Sequence, residues 1–234
     1  MSLGNRTVIV TGASGNLGAA VAKAFAHEGA NLVLVDLKRD SLEQVFDSEN
    51  DHRLFAPANL LEMTAASGVA QSALARFGRI DVLCNIAGGF RMGETVHETS
   101  DENWNFLFDI NTRTLLHAVR AVVPHMVAAG GGKIVNVGAF AAQKGVAQMG
   151  AYTASKATVI RMTEAMAAEL REKNINVNCV LPTIIDTPQN RAAMPKANPA
   201  KWVAPVDLAN VIVFLASDAA RAVHGAALPV SALS

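Results

Sequence analysis

Tyr152 and Lys156 stand four residues apart in Tyr152-Thr-Ala-Ser-Lys156, inside a stretch whose apolar spacing predicts a helix over about 151–173. Residues at i and i+4 of a helix project from one face, a turn apart. An ammonium held there would stabilise a phenolate and bring the tyrosine down from its usual value of about 10 toward working pH. Handing a proton to a carbonyl or imine, or taking one back, requires such a group. The spacing alone is common on solvated helix faces, but Tyr152 is the single tyrosine of the chain.

A second group of residues could hold an anion. A strand at 7–10 runs into Thr11-Gly12-Ala13-Ser14-Gly15-Asn16-Leu17-Gly18 and then into an apolar helical pattern. Unpaired amides and the helix dipole converge at such a turn, where a pyrophosphate can lie. Glycine is needed where backbone approaches the phosphates and where helix packs on strand. Asp36 follows 18 residues after Gly18, at the end of the next apolar run, close to the spacing at which an acid accepts hydrogen bonds from adenosine ribose hydroxyls. A carboxylate there repels a 2′-phosphate, which favours NAD(H), while the neighbouring Lys38 and Arg39 keep NADP(H) admissible.

Placing these groups in one crevice requires a regular scaffold. Short β-branched runs at 6–11, 31–35, 53–56, 81–85, 133–137, 175–181 and 226–230 alternate with helical patterns at 17–28, near 41, and at 62–77, 151–173 and 206–217. Several runs, such as Leu32-Val33-Leu34-Val35, are continuously apolar, as strands buried on both faces of a parallel sheet should be. The expected fold is therefore α/β: a Rossmann-type doubly wound parallel sheet with helices on both faces, one domain over 1–234. The stretch 182–205 holds five prolines and reads as an irregular substrate loop or lid.

Composition narrows the function classes. With 20 Lys+Arg against 20 Asp+Glu, the chain has no electrostatic footprint for nucleic acid. Half of the 234 residues are hydrophobic (51%), too many for a disordered chain. Cys84 and Cys179 sit in apolar runs and read as inert core thiols. Residues 1–6 lack an apolar leader pattern, and the most apolar helical run, 118–129, is interrupted by Pro124 and His125. The expectations are no membrane span, a reducing cytoplasm and, since the six histidines show no ligand spacing, no metal.

Together these residues resemble the short-chain dehydrogenase/reductase family over essentially the whole length. The resemblance rests on the turn at 11–18, Asp36, Asn85-Ile86-Ala87-Gly88, Asn111, Tyr152 with Lys156, and Pro182 with Thr187. It implies an oxidoreductase in which Tyr152, Lys156 and Asn111 are catalytic, Lys156 also binding the nicotinamide ribose and Asn111 holding a proton-relay water. The implied cofactor site comprises Gly12, Ser14, Gly15, Asn16, Leu17, Gly18, Asp36, Asn59, Asn85, Ala87, Gly88, Tyr152, Lys156, Pro182, Ile185 and Thr187. Asn85 and Gly88 would flank the adenosine side, and Thr187 would meet the carboxamide. A homodimer or homotetramer is implied too.

Two positions depart from the family. The serine usual 13 residues before the tyrosine is Ala139, and losing one preorganised donor at a developing oxyanion costs roughly 10²–10³ in turnover. Gln143 is a candidate substitute. Asn16 stands where many members have glycine. Both departures resemble one branch, dihydropteridine reductase, whose quinonoid ring would need that donor less. The substrate is thus a small carbonyl or hydroxyl compound, an imine or a quinonoid ring; a non-catalytic NAD-binding sensor or scaffold is the reading that Ala139 leaves open. Phe90, Met149, Met194 and Trp202, with Ala139 and Gln143, are the candidate pocket residues, suited to a flat or apolar substrate.

Overall fold

The computed structural model describes residues 3–234; residues 1 and 2, part of the segment read above as lacking a leader, lie outside it. In chain order the elements are β1 (Thr7–Thr11), α1 (Asn16–His27), β2 (Asn31–Val35), α2 (Arg39–Phe46), β3 (Arg53–Phe55), α3 (Met63–Phe77), β4 (Val82–Asn85), α4 (Asp101–Phe108), α5 (Thr114–Ala128), β5 (Gly132–Val137), α6 (Gly150–Leu170), β6 (Ile175–Pro182), α7 (Pro188–Ala193), α8 (Pro205–Ala216) and β7 (Ala227–Val230). The strands make one seven-stranded sheet in the order β3-β2-β1-β4-β5-β6-β7, with every pairing parallel. Strand order reverses between β1 and β4. In such a sheet the carboxyl ends diverge at the reversal and leave a crevice.

Because strand side chains alternate, each apolar run feeds both faces. Ile9, Val33, Leu83, Ile134 and Val177 join the core packed under α3, α5 and α6. Their neighbours Val8, Val10, Leu32, Leu34, Val82, Val135 and Val180 join the other core, against α1 and α8. Each such side chain taken fully out of water contributes about 1.5–3 kcal/mol, so the sheet is fixed in register long before any polar contact matters.

Two expectations are corrected. Pro124 does not end its helix: α5 runs through it to Ala128, since Pro124 lies exposed on the outer face, where the carbonyl that loses its partner is open to solvent. The stretch 182–205 is not irregular throughout; it folds into α7 and a 3₁₀ turn at Pro199–Lys201, tied together by a bridge between Ile185 and Val203. Among the described residues no helix is long and apolar enough to cross a membrane, and no group of His, Cys, Asp and Glu could hold a metal ion.

Candidate active site

The glycine turn closes the crevice on the β1 side. Gly12 has φ +64°, and a Cβ there would stand 2.9 Å from the Cα of Ala87. A Cβ on Gly18 would fall on the Gly12 carbonyl and 2.8 Å from the Ala13 Cα. α1 thus starts directly on the turn, capped by Gly15 with no side-chain bond, Ala19 N–H returning to the Gly15 carbonyl at 2.8 Å. A cradle of backbone that a single methyl would fill, at a helix N-terminus, fits a pyrophosphate. Thr11 was missed by sequence reasoning. Its hydroxyl accepts from the amides of Ile86 (3.0 Å) and Ala87 (3.1 Å), fastening the chain after β4 to the turn. Nothing but its place before Gly12 would have marked it.

Asp36 ends β2 beside this turn. One carboxylate oxygen accepts from the Ser14 amide (3.0 Å) and hydroxyl (2.6 Å), the other from the Leu37 amide (2.8 Å). The charge is aimed by three donors and keeps a lone pair for a further one. Arg39 is bound elsewhere: it pairs with Glu43 (2.8 Å) and Glu49 (3.0 Å) and lies over the Phe55 ring.

Asn111 and Lys156 converge on Gly88, and Tyr152 lies one turn before Lys156 on α6. Asn111 sits in a π-helical turn, Asp109–Arg113, between α4 and α5. A π turn re-aims a side chain by one residue, and such turns are frequent at functional sites. Its amide donates to the Gly89 carbonyl (3.0 Å) and to the Ser155 hydroxyl (3.1 Å), and it accepts from the Gly89 amide (2.9 Å). Ser155, also missed in the sequence, donates its hydroxyl hydrogen bond to the Tyr152 carbonyl at 2.8 Å and so ties Asn111 to α6. Lys156 is buried and donates to the Val137 carbonyl at 2.9 Å. A Cβ on Gly88 would stand 3.0 Å from Asn111 Oδ1 and 3.1 Å from Lys156 Nζ. Gly88 therefore faces Asn111 and Lys156, and Asn85 turns inward to bond Asn136 at 2.9 Å across β4 and β5.

The electrostatics also differ from expectation. Burial pushes the Tyr152 phenol up to about 12 and the Lys156 ammonium down to about 8. Loss of water is the cause in both cases, opposed at Lys156 in part by the Cys179 thiol. Tyr152 is held as the neutral acid.

Comparison with known proteins agrees with this geometry. Residues 6–198 match the family model for short chain dehydrogenases. The chain belongs to the short chain dehydrogenase family. A curated relative, a D-threitol dehydrogenase of Mycolicibacterium smegmatis, is 34% identical, the match covering 97% of this chain and 91% of that one. Among solved structures, a 3-ketoacyl-(acyl-carrier-protein) reductase of Brucella melitensis complexed with NADH superposes with a TM-score of 0.88 at 28% identity, covering 98% of both chains. A gluconate 5-dehydrogenase of Burkholderia cenocepacia in complex with NADP and tartrate gives 0.90 at 27% identity, covering 99% of this chain and 95% of that one. This dehydrogenase is accordingly a nicotinamide-dependent oxidoreductase.

In this dehydrogenase the remaining candidates divide. The Phe90 ring meets Tyr152 edge-on, 4.8 Å between centroids, and is half exposed. Met149 caps α6, and Gly93 N–H binds the Gln148 carbonyl at 2.9 Å, so the chain after β4 and the chain before α6 form one wall. Ala139 is buried at the end of β5. Gln143 is not beside Tyr152: it lines a cavity of about 330 Å³ with Ala157, Ile160, Arg161 and Glu164, a face of α6 roughly 130° around the helix from Tyr152. It supplies no donor in place of the serine. Trp202 is buried. Met194 ends α7, half-buried. The Thr187 hydroxyl accepts from the Asn190 amide (3.2 Å) as the N-cap of α7, and Ile185 accepts from the Asn190 side chain at 2.8 Å. Asn59 caps a turn, accepting from the Leu61 amide at 3.1 Å, and Pro182 closes β6. Leu17 packs in the core beneath the turn.

Proposed function

We propose that this dehydrogenase, as a single domain over 1–234, moves hydride between NAD(H) and a small carbonyl or hydroxyl group on a flat, apolar substrate, with Tyr152 exchanging the proton. The observation that supports the reading is the convergence of Asn111 Oδ1 and Lys156 Nζ on Gly88, just beyond the glycine turn, with Tyr152 one helical turn from Lys156 on α6. The turn at 12–18 would hold the pyrophosphate, Asp36 the adenosine ribose, Tyr152 and Lys156 the nicotinamide ribose, and Ile185 and Thr187 the carboxamide. Bound nicotinamide would supply or accept the hydride. Tyr152 donates its proton as the substrate oxygen gains charge. Lys156 stabilises the phenolate left behind, held by the Val137 carbonyl. Asn111, clamped by Gly89 and Ser155, anchors the path by which a proton returns.

Phe90 beside Tyr152, Met149 at the start of α6 and Ala139 after β5 carry no charge and no hydroxyl, which supports an apolar, planar substrate. Ala139 also favours a narrower reading of the same site: a quinonoid or imine ring, as in dihydropteridine reductase, whose electrophilicity replaces the missing oxyanion donor. Steady-state assays with cyclic ketones, quinones and quinonoid dihydropterin separate these substrates.

Cofactor preference follows from Asp36. Its carboxylate is fixed by Ser14 and opposes a 2′-phosphate, and Arg39 is committed to Glu43 and Glu49. NAD(H) is therefore the proposed partner over NADP(H). Asp36→Ala is expected to narrow the NADH-over-NADPH ratio of kcat/KM by roughly ten- to a hundred-fold, through loss of one charge repulsion and one ribose acceptor. An unchanged ratio would remove Asp36 as the discriminator.

The pH dependence has a definite sign. Lys156 must be cationic to hold a phenolate, and its value of about 8 lies well below that of an exposed lysine. Reductive kcat/KM should therefore hold level below pH 8 and fall tenfold per unit above it; a profile level to pH 10 contradicts the role. Trp104 stacked on Phe108 and the exposed Leu116 and Val127 on α4 and α5 support assembly into a homodimer or homotetramer. Two buried free cysteines suit a reducing cytoplasm.

A further inference from the structure

Asn16 is the first residue of α1, where the family commonly has glycine, and its side-chain amide donates to Gln189 of α7 at 2.9 Å. The two residues are 173 apart in the chain, and both are at the surface. Their positions in the sheet give the contact its meaning. Asn16 follows β1 and Gln189 follows β6, and β4 and β5 lie between those strands. Three strand spacings make roughly 14 Å, so α7 reaches the glycine turn only by crossing above the carboxyl ends of β4 and β5. That is the end of the sheet where Gly88 follows β4 and Ala139 follows β5, next to the reversal between β1 and β4.

The rest of the segment is arranged so that this one contact can act on it. At its base the segment is tied to itself, Asp186 N–H bonding the Val203 carbonyl at 2.8 Å and Val203 N–H the Ile184 carbonyl at 2.9 Å, and Val203 with Ile185 packs into the core on the α1 and α8 side. Within itself it is braced, since Arg191 pairs with both oxygens of Asp186 at 2.6 and 2.7 Å and Thr187 caps the helix. α7 is thus a small stiff unit on a fixed base. The Asn16–Gln189 bond joins this unit to the glycine turn.

We propose that Asn16 and Gln189 form a latch that holds α7 closed across the pyrophosphate part of the crevice and slows release of the nucleotide. The inference rests on the reading that a dinucleotide lies on the glycine turn. A glycine at 16 would leave α7 without this tether, so the departure from the family pattern has a physical consequence: cofactor exchange is gated by one amide–amide bond. The bond is exposed, and a single net hydrogen bond of this kind shifts an opening equilibrium by about fivefold.

The test compares the unaltered protein with Asn16→Ala, Gln189→Ala, the double variant, and the exchanged pair Asn16→Gln with Gln189→Asn, which keeps the summed length. Trypsin cleavage after Arg191, measured without nucleotide, reports opening of α7. Stopped-flow fluorescence reports NADH dissociation. Both rates should rise about fivefold in each single variant, rise no further in the double variant, and return toward the unaltered values in the exchanged pair. Unchanged cleavage in the single variants, effects that multiply in the double variant, or faster cleavage with unchanged NADH dissociation would each overturn the latch. Failure of the unaltered protein to bind NADH would strike the nucleotide reading instead, and the cleavage comparison would still decide whether α7 is tethered.

Discussion

Tyr152→Phe is expected to lower the rate of hydride transfer by roughly 10³-fold while leaving NADH affinity within about threefold. The substitution removes one hydroxyl and keeps the ring, so the edge-on contact with Phe90 at 4.8 Å survives and α6 keeps its packing. What is lost is a positioned proton donor, a contribution of 10²–10⁴ in general acid catalysis. Burial already pushes this phenol up to about 12, so at neutral pH it carries the proton that the reduction needs. Lys156 remains anchored on the Val137 carbonyl and Asn111 on Gly89 and Ser155, which isolates the loss to the acid itself. Single-turnover disappearance of NADH in the presence of a reducible ketone measures it. A rate within threefold of the unaltered protein would assign the proton to another group.

Gly18→Ala should abolish nucleotide binding, weakening NADH affinity more than a hundredfold and costing about 3 kcal/mol of stability, as overpacking against rigid backbone does. The added methyl would fall on the Gly12 carbonyl and within 2.8 Å of the Ala13 Cα, and neither atom belongs to a flexible side chain. The turn must open, and with it the cradle at the start of α1. Gly68→Ala is the control: it lies inside α3 with nothing within 4 Å of the added carbon, so it should gain about 0.5–1 kcal/mol from helix propensity. Thermal melts read both changes, and fluorescence titration separates binding from folding. Equal NADH affinity in Gly18→Ala and Gly68→Ala would show that the turn does not carry the nucleotide.

The fold was legible because its strands are apolar on both faces: runs such as Leu32-Val33-Leu34-Val35 admit few other placements, and β2 has the expected bounds. The helix carrying Tyr152 and Lys156 was legible for the same kind of reason. The π turn at Asn111 was not, since no residue pattern marks one extra residue per turn; it depends on Gly89 and Ser155 gripping the side chain from outside the helix. Thr11 and Ser155 escaped notice because their work is done through contacts 73 or more and 44 residues distant, with no local spacing. The direction of the Tyr152 shift was misjudged because spacing shows a neighbouring ammonium but not how completely both groups leave water. Gln143 shows the limit of proximity in sequence: four residues beyond Ala139 it has already turned onto another face of α6.

The most direct test is a crystal structure of the complex with NADH. The proposed chemistry requires the adenosine ribose at Asp36, the pyrophosphate on the turn at 12–18 beneath α7, and the nicotinamide ring in the corner made by Tyr152, Lys156 and Asn111. A nucleotide lying elsewhere, or one whose nicotinamide ring points away from the Tyr152 hydroxyl, would contradict it.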